Sequence, residues 1–176
     1  MRFRNVFSLA TTIAVLVLSS TASLAQTFPN LQGKPVLDAA NVIDANTEAA
    51  LNTRLFEYER TTGHQLAVVT VPSLQDYEIE EYANRLFRHL QLGDKDINDG
   101  VLLLLAPNER KLRIEVGVGL EPVLTDAEAK NILSTSVVPI MKQNRIGEAL
   151  TSGAEAIMAK TDVDQAYVEE LRSKQE

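Results

Sequence analysis

The residues best suited to chemistry are carboxylates placed around a short β-hairpin. Gly100 to Ala106 is apolar on both faces, and Lys111 to Gly117 alternates apolar with charged. Too few residues join them for a parallel crossover, so the two runs should pair antiparallel. A turn centred between Asn108 and Glu109 sets Leu103 opposite Ile114 and Asp99 opposite Val118. That register lays Asn98-Asp99-Gly100 beside Gly117-Val118-Gly119, and the chain then runs through Glu121 to a helix start at Asp126. Asp99, Asp126 and either Glu115 or Glu121 are therefore expected at one end of the sheet. Gly117 and Gly119 would let the backbone approach closely there. Carboxylates and carbonyls without His or Cys suit a hard cation, Ca²⁺ ahead of Mg²⁺. Each acid also has a purely structural use. Asp126 suits the first turn of a helix, Asp99 can bond its own turn, and Glu115 can pair with a neighbouring Arg.

Other constellations are weaker. Asp94-Lys95-Asp96-Ile97-Asn98-Asp99-Gly100 opens like an EF-hand loop, but its glycine is one place late, Leu105 stands where the last acid should be, and a strand follows instead of a helix. The serines lack a G-x-S-x-G elbow. There is no cysteine, hence no disulfide, thiolate nucleophile or Cys-based zinc site. His64 and His89 each fall near a predicted helix C-terminus, where an imidazole offsets the dipole. Arg110-Lys111 and Arg113 form a basic spot that could steady a phosphate or simply be solvated. No Gly-rich P-loop is present.

The elements that must position these residues follow from periodicity. Residues 1–25 read as a signal peptide: a basic start, an apolar stretch over 6–18, and Ser23 and Ala25 as the small residues before a cut after Ala25. Residues 26–35 form an irregular lead-in with two prolines and a glycine. Residues 36–38 make a short edge strand, 46–62 a helix capped by Asp44 or Asn46 and ended by Gly63, and 65–71 a buried strand. The stripe Ile79, Tyr82, Ala83, Leu86, Phe87, Leu90 marks a second helix. Thr125-Asp126-Ala127-Glu128 is a capping box, and its helix should end or kink at Pro139. Ile146, Leu150, Gly153 and Ile157 mark another helix, and residues 161–176 read as a charged C-terminal helix or tail. Helices alternating with strands, one pair antiparallel, predict an α/β/α three-layer sandwich around a small mixed sheet.

The 17 basic and 24 acidic residues give a net charge of −7. Arg2 and Arg4 leave with the leader and no acid does, so the mature chain carries −9. This balance disfavours nucleic acid as a partner. No second apolar run is long enough to span a membrane, so the mature chain is expected in the periplasm or secreted, without a spanning segment.

The ordered set of pieces resembles one family. Val36-Leu37-Asp38, Glu59-Arg60-Thr61-Thr62-Gly63 and Gln65 to Val71 come first, then Ile79-Glu80-Glu81-Tyr82-Ala83 and Asn98 to Leu105. Asn108 to Gly117, Val118-Gly119-Leu120-Glu121 and Leu124-Thr125-Asp126 follow. Together they resemble the TPM domain family, from about residue 34 to 160, with the domain itself set at 36–160. The resemblance implies a Rossmann-like α/β/α sandwich, an exported or lumenal setting, calcium binding in some members and acid phosphatase activity in others. It also maps the family's acidic positions onto Asp38, Asp99, Glu115 and Asp126, together with Arg110, Gly117 and Gly119. This chain departs from the pattern at the same place. The family's Asp-Asn-Gly is Asn98-Asp99-Gly100, its Gly-Tyr-Gly is Gly117-Val118-Gly119, and a glycine after the Glu is Pro122. Two functions are expected. The first is an accessory module that binds an envelope or membrane protein and uses Ca²⁺ for rigidity. The second is a metal-dependent phosphomonoesterase in which Asp99, Glu115 and Asp126 hold the metal, Arg110 or Arg113 steadies the phosphate, and a metal-bound water attacks.

Overall fold

The computed structural model describes residues 27–162 together with residues 170 and 173. The signal-peptide reading of 1–25 lies outside these residues, as does most of the tail.

Four strands form one sheet in the order β1 (Val36–Asp38), β2 (Gln65–Thr70), β3 (Gly100–Ala106), β4 (Lys111–Val116). The first three are parallel and β4 returns antiparallel. The hairpin register is the one expected, with Leu103 opposite Ile114. β3 is buried along its whole length, as its unbroken apolar run requires for a central strand.

Strand alternation divides the core in two. Val101, Leu103 and Leu105 face one layer with Leu51, Leu55 and Tyr58 of α1 (Ala45–Thr62) and Leu150, Ala154 and Ile157 of α5 (Ile146–Thr161). Leu102, Leu104 and Ala106 face the other, against Tyr82, Ala83 and Leu86 of α2 (Ile79–Leu90). The α/β/α sandwich is thus present. Both crossovers step the same way across the sheet, yet α1 and α2 cover opposite faces. The crossovers therefore have opposite hands, and one departs from the usual right-handed rule.

Local chemistry sets the boundaries. Asp44 caps α1 by accepting from the amides of Asn46 and Thr47, and Gly63 ends it at φ 80°. Thr125 and Glu128 form the expected capping box on α3 (Asp126–Ile132). Of the two outcomes expected at Pro139, the helix does not end there but loses its regular α geometry just before it. A π-helical turn over Leu133–Val137 passes into α4 (Val138–Met141), with the proline in its first turn. The widened turn lies just before the residue that has no N–H to give. Gly153 of α5 faces Val137 here, and a Cβ at that position would lie 2.6 Å from the valine Cγ2.

Residues 27–35 carry no strand or helix and pack against α2. Phe28 meets Tyr82 edge-on at 5.3 Å between ring centroids, and Asn30 bonds His89 Nε2 at 2.9 Å.

Candidate functional site

The sheet's two ends hold different residues. Asp38 pairs in register with Thr70, and Thr70 with Leu105, so Asp38 lies at the end where the hairpin turns. Asp99 precedes β3 at the other end, a strand's length of about 20 Å away. At the hairpin end the chain leaves β1 and β2 toward opposite faces, which opens the kind of crevice where α/β sheets bind ligands. Asp38 is engaged there by the chain itself: one oxygen accepts the Thr70 hydroxyl, and the other accepts Ile43 N–H at 2.7 Å, which ties the turn after β1 to the end of β2. Arg110 is at this end too, exposed on the hairpin turn with φ 55°. Neither residue meets the other candidates.

At the opposite end the expected juxtaposition is present. Gly117 N–H bonds Gly100 O at 2.8 Å, and Gly119 N–H bonds Asn98 O at 2.9 Å. A Cβ on Gly117 would run into the Asn98 carbonyl, and one on Gly119 into that of Ile97. Close approach, not a left-handed backbone, is what demands glycine at both positions.

Here two adjoining hollows of about 450 and 440 Å³ run along the outer side of β4. They share Glu115, Val116 and Glu121. One wall is the outer flank of α2, with Asn84 and Arg88, continued by Gly93, Asp94 and Lys95. The other is the run from Glu121 through Leu124 and Thr125 to Asp126. Glu115 is held from two sides: Oε1 accepts Asn84 Nδ2 at 2.9 Å, and Oε2 accepts Arg113 Nε at 3.1 Å and Nη2 at 3.0 Å. Asp126 and Glu121 are exposed on the rim. Val118 stands out at 58% exposure, an apolar side chain on the lip of a charged groove.

Asp99 is not in the groove. It shares the parity of Val101 and turns to the α1 face, whereas Glu115 pairs with Leu102 and faces α2. The sheet separates the two carboxylates. Asp99 Oδ2 bonds His64 Nδ1 at 2.8 Å, each side chain 1% exposed, and Oδ1 accepts Asp94 N–H at 2.8 Å. His64 is therefore a buried partner of Asp99, beyond the helix-end role expected of it. The strand register carried the signal: Gln65 pairs with Gly100, so the residues preceding them are neighbours. His89 is exposed beside Asn30. Asn84 was also not singled out by the sequence, though the stripe on α2 fixes its face.

The acids do not assemble as a cation site. Ca²⁺ takes six to eight oxygens. Asp99 spends both oxygens inside, Asp38 spends its own at the far end, and Glu115 is engaged by Arg113 and Asn84. Among the described residues no three His, Cys, Asp or Glu side chains are placed to hold one ion. The donor set does not fit the cation that the resemblance implies.

Beside the groove, Glu128 is held below the usual carboxylate range, first by its bond from Lys160 and then by the Thr125 amide. This contact ties the end of α5 to the groove's lower wall. On the buried face of α1, Tyr58 is pushed above its ordinary value by burial, against the lowering effect of its 2.7 Å bond with Thr161 Oγ1.

The family model of the TPM domain matches residues 36–160. The chain belongs to the TPM domain family. The solution structure of the N-terminal domain of a P. gingivalis protein is 30% identical, with a TM-score of 0.68, covering 73% of this chain and 82% of that one. The N-terminal domain of the cg2496 protein of Corynebacterium glutamicum is 17% identical, with a TM-score of 0.58 and coverage of 78% and 86%. The BA42 protein of Bizionia argentinensis is 18% identical, with a TM-score of 0.60 and coverage of 68% and 81%. These last two share the fold. No curated protein matches the chain. Among the described residues of this TPM domain no helix is long and apolar enough to cross a membrane.

Proposed function

We propose that this TPM domain is an exported accessory module that binds an envelope or membrane protein through the β4 groove, without turning over a substrate. The observation that carries the reading is how the groove's central carboxylate is used. Glu115 is committed to Arg113 and Asn84, while the buried imidazole, His64, is sealed with Asp99 behind the sheet. Neither is poised to activate a nucleophile. What the groove offers is a mixed-charge rim, with Arg88 and Lys95 against Glu121 and Asp126, and an exposed valine. Such a surface resembles the polar rim of a protein interface more than a reaction pocket. The leader-like N-terminus supports export to the periplasm or beyond.

One observation favours phosphoester chemistry instead. Arg113, Glu121 and Asp126 line the same 440 Å³ hollow, so a phosphate could meet an arginine there with acids at hand. The donor geometry described above weighs against the metal that such a reaction would need.

Photo-crosslinking tests the binding reading. A crosslinking amino acid at Val118 is expected to give discrete adducts with envelope proteins of the producing cell. The same group at Phe56, exposed on α1 away from the groove, is expected to give none. Equal adducts from both positions, or none from Val118, would reject the groove as the contact surface.

A further inference from the structure

We propose that the buried His64–Asp99 pair orders the 93–99 loop in the role a bound cation would otherwise play, with His64 as the positioning residue of the groove wall. This holds independently of what the groove binds. A cation orders an acidic loop by gathering its carboxylates. In this loop the carboxylates are gathered by the chain itself. Asp99 Oδ1 takes Asp94 N–H, closing the loop on its own start, and Asp94 Oδ1 takes Asp96 N–H at 2.8 Å and Ile97 N–H at 3.2 Å. Asn98 N–H returns to Asp94 O at 2.7 Å. Asp99 Oδ2 then fastens the closed loop to His64. His64 stands on a rigid support, between the Gly63 cap of α1 and the first residue of β2. Gln65 adds a second tie, its Oε1 accepting Gly93 N–H at 2.8 Å.

From this anchor the order passes outward. Asn98 O receives Gly119 N–H, and Gly119 leads through Leu120 to Glu121 on the opposite wall. The width of the groove is thus set from the core. The side chain at position 98 is an amide, and the loop's buried carboxyl, one residue on, has an imidazole to meet it.

The test is amide hydrogen exchange of the purified protein, with EDTA and with millimolar Ca²⁺, for wild type, His64→Ala and His64→Asn. The wild type is expected to protect Asp94, Ile97 and Gly119 equally under both conditions. His64→Ala should exchange these amides about tenfold faster or more, while β3 stays protected. His64→Asn, whose amide nitrogen can replace Nδ1, should restore most of the protection, which a merely space-filling role would not explain. Should His64→Ala fail to fold, the wild-type cation comparison and the protection of His64→Asn relative to wild type still decide the question. Protection of the loop by Ca²⁺ in the wild type, or unchanged exchange in a folded His64→Ala, would overturn the proposal. So would a folded His64→Asn that exchanges freely.

Discussion

His64 Nδ1 and Asp99 Oδ2 stand 2.8 Å apart, joining residues 35 positions distant in sequence, each 1% exposed. The pair lies under the sheet end that carries the groove. Asp99 is therefore a structural acid, and its loss should be read in stability before activity. Truncating one partner of a buried pair leaves the other without compensation, at a cost of about 3 kcal/mol. Asp99→Ala is expected to lower the unfolding free energy by that amount, read from the urea midpoint and its m-value. Asp99→Asn keeps an acceptor for one of its two partners and should cost less, about 1–2 kcal/mol. Equal midpoints for Asp99→Ala and wild type would place Asp99 elsewhere.

Gly117 and Gly119 should tolerate no side chain. Their missing Cβ positions are filled by the carbonyls of Asn98 and Ile97, which are backbone atoms in a tied loop. Gly117→Ala is expected to destabilise by about 2 kcal/mol or more. Amide shift changes should centre on residues 97–100 and leave the hairpin turn at Asn108 unmoved.

The hairpin was legible in the sequence because a short connection permits few registers, and Leu103 does face Ile114. The alternation of β4 was legible too, since Arg113 and Glu115 leave one face and Ile114 the other. What ordering along a strand does not reveal at once is the face. Carrying the alternation of β3 back from Val101 to Asp99 separates Asp99 from Glu115, although both lie at the same end. The resemblance brought Asp38 and Arg110 into one site, but both belong to the hairpin end. The His64 contact depends on β2 and β3 being neighbours with aligned starts, a tertiary fact that local periodicity does not carry. The Thr125–Glu128 pattern fixes the start of the helix at Asp126, and Pro139 marks where its regular course is broken, but the form of the break, a π turn over Leu133–Val137, is not specified by any residue pattern.

Tyr58 links α1 to the end of α5 through Thr161, and its burial raises its pKa above the ordinary value of 10.0. The unfolded chain therefore ionises this phenol first as pH rises. Its contribution is full below pH ~10 and is lost as pH climbs through the folded-state value. Denaturant unfolding followed from neutral to alkaline pH should show a fall in the wild type that is smaller in Tyr58→Phe. Parallel curves for the two proteins would contradict the assignment.

The capping box supports the groove's lower wall. Thr125→Ala removes the acceptor for Glu128 N–H and should cost about 1 kcal/mol. The Glu128 carboxyl is depressed by Lys160 and by Thr125. Its contribution is present above the unfolded carboxylate value near 4.5 and is lost as pH falls through the lower folded value. The acid side of a stability profile should therefore flatten in Glu128→Gln. An acid limb identical to that of the wild type would remove Glu128 from the account.

If the β4 groove binds without catalysis, the protein has no phosphomonoesterase rate of its own. Initial rates of p-nitrophenyl phosphate hydrolysis by the purified protein, from acid to neutral pH with millimolar Ca²⁺ or Mg²⁺, decide this. No turnover above buffer is expected at any pH with either ion. A saturable rate that Glu115→Gln or Asp126→Asn abolishes, in protein that remains folded, would contradict it and make the groove an active site.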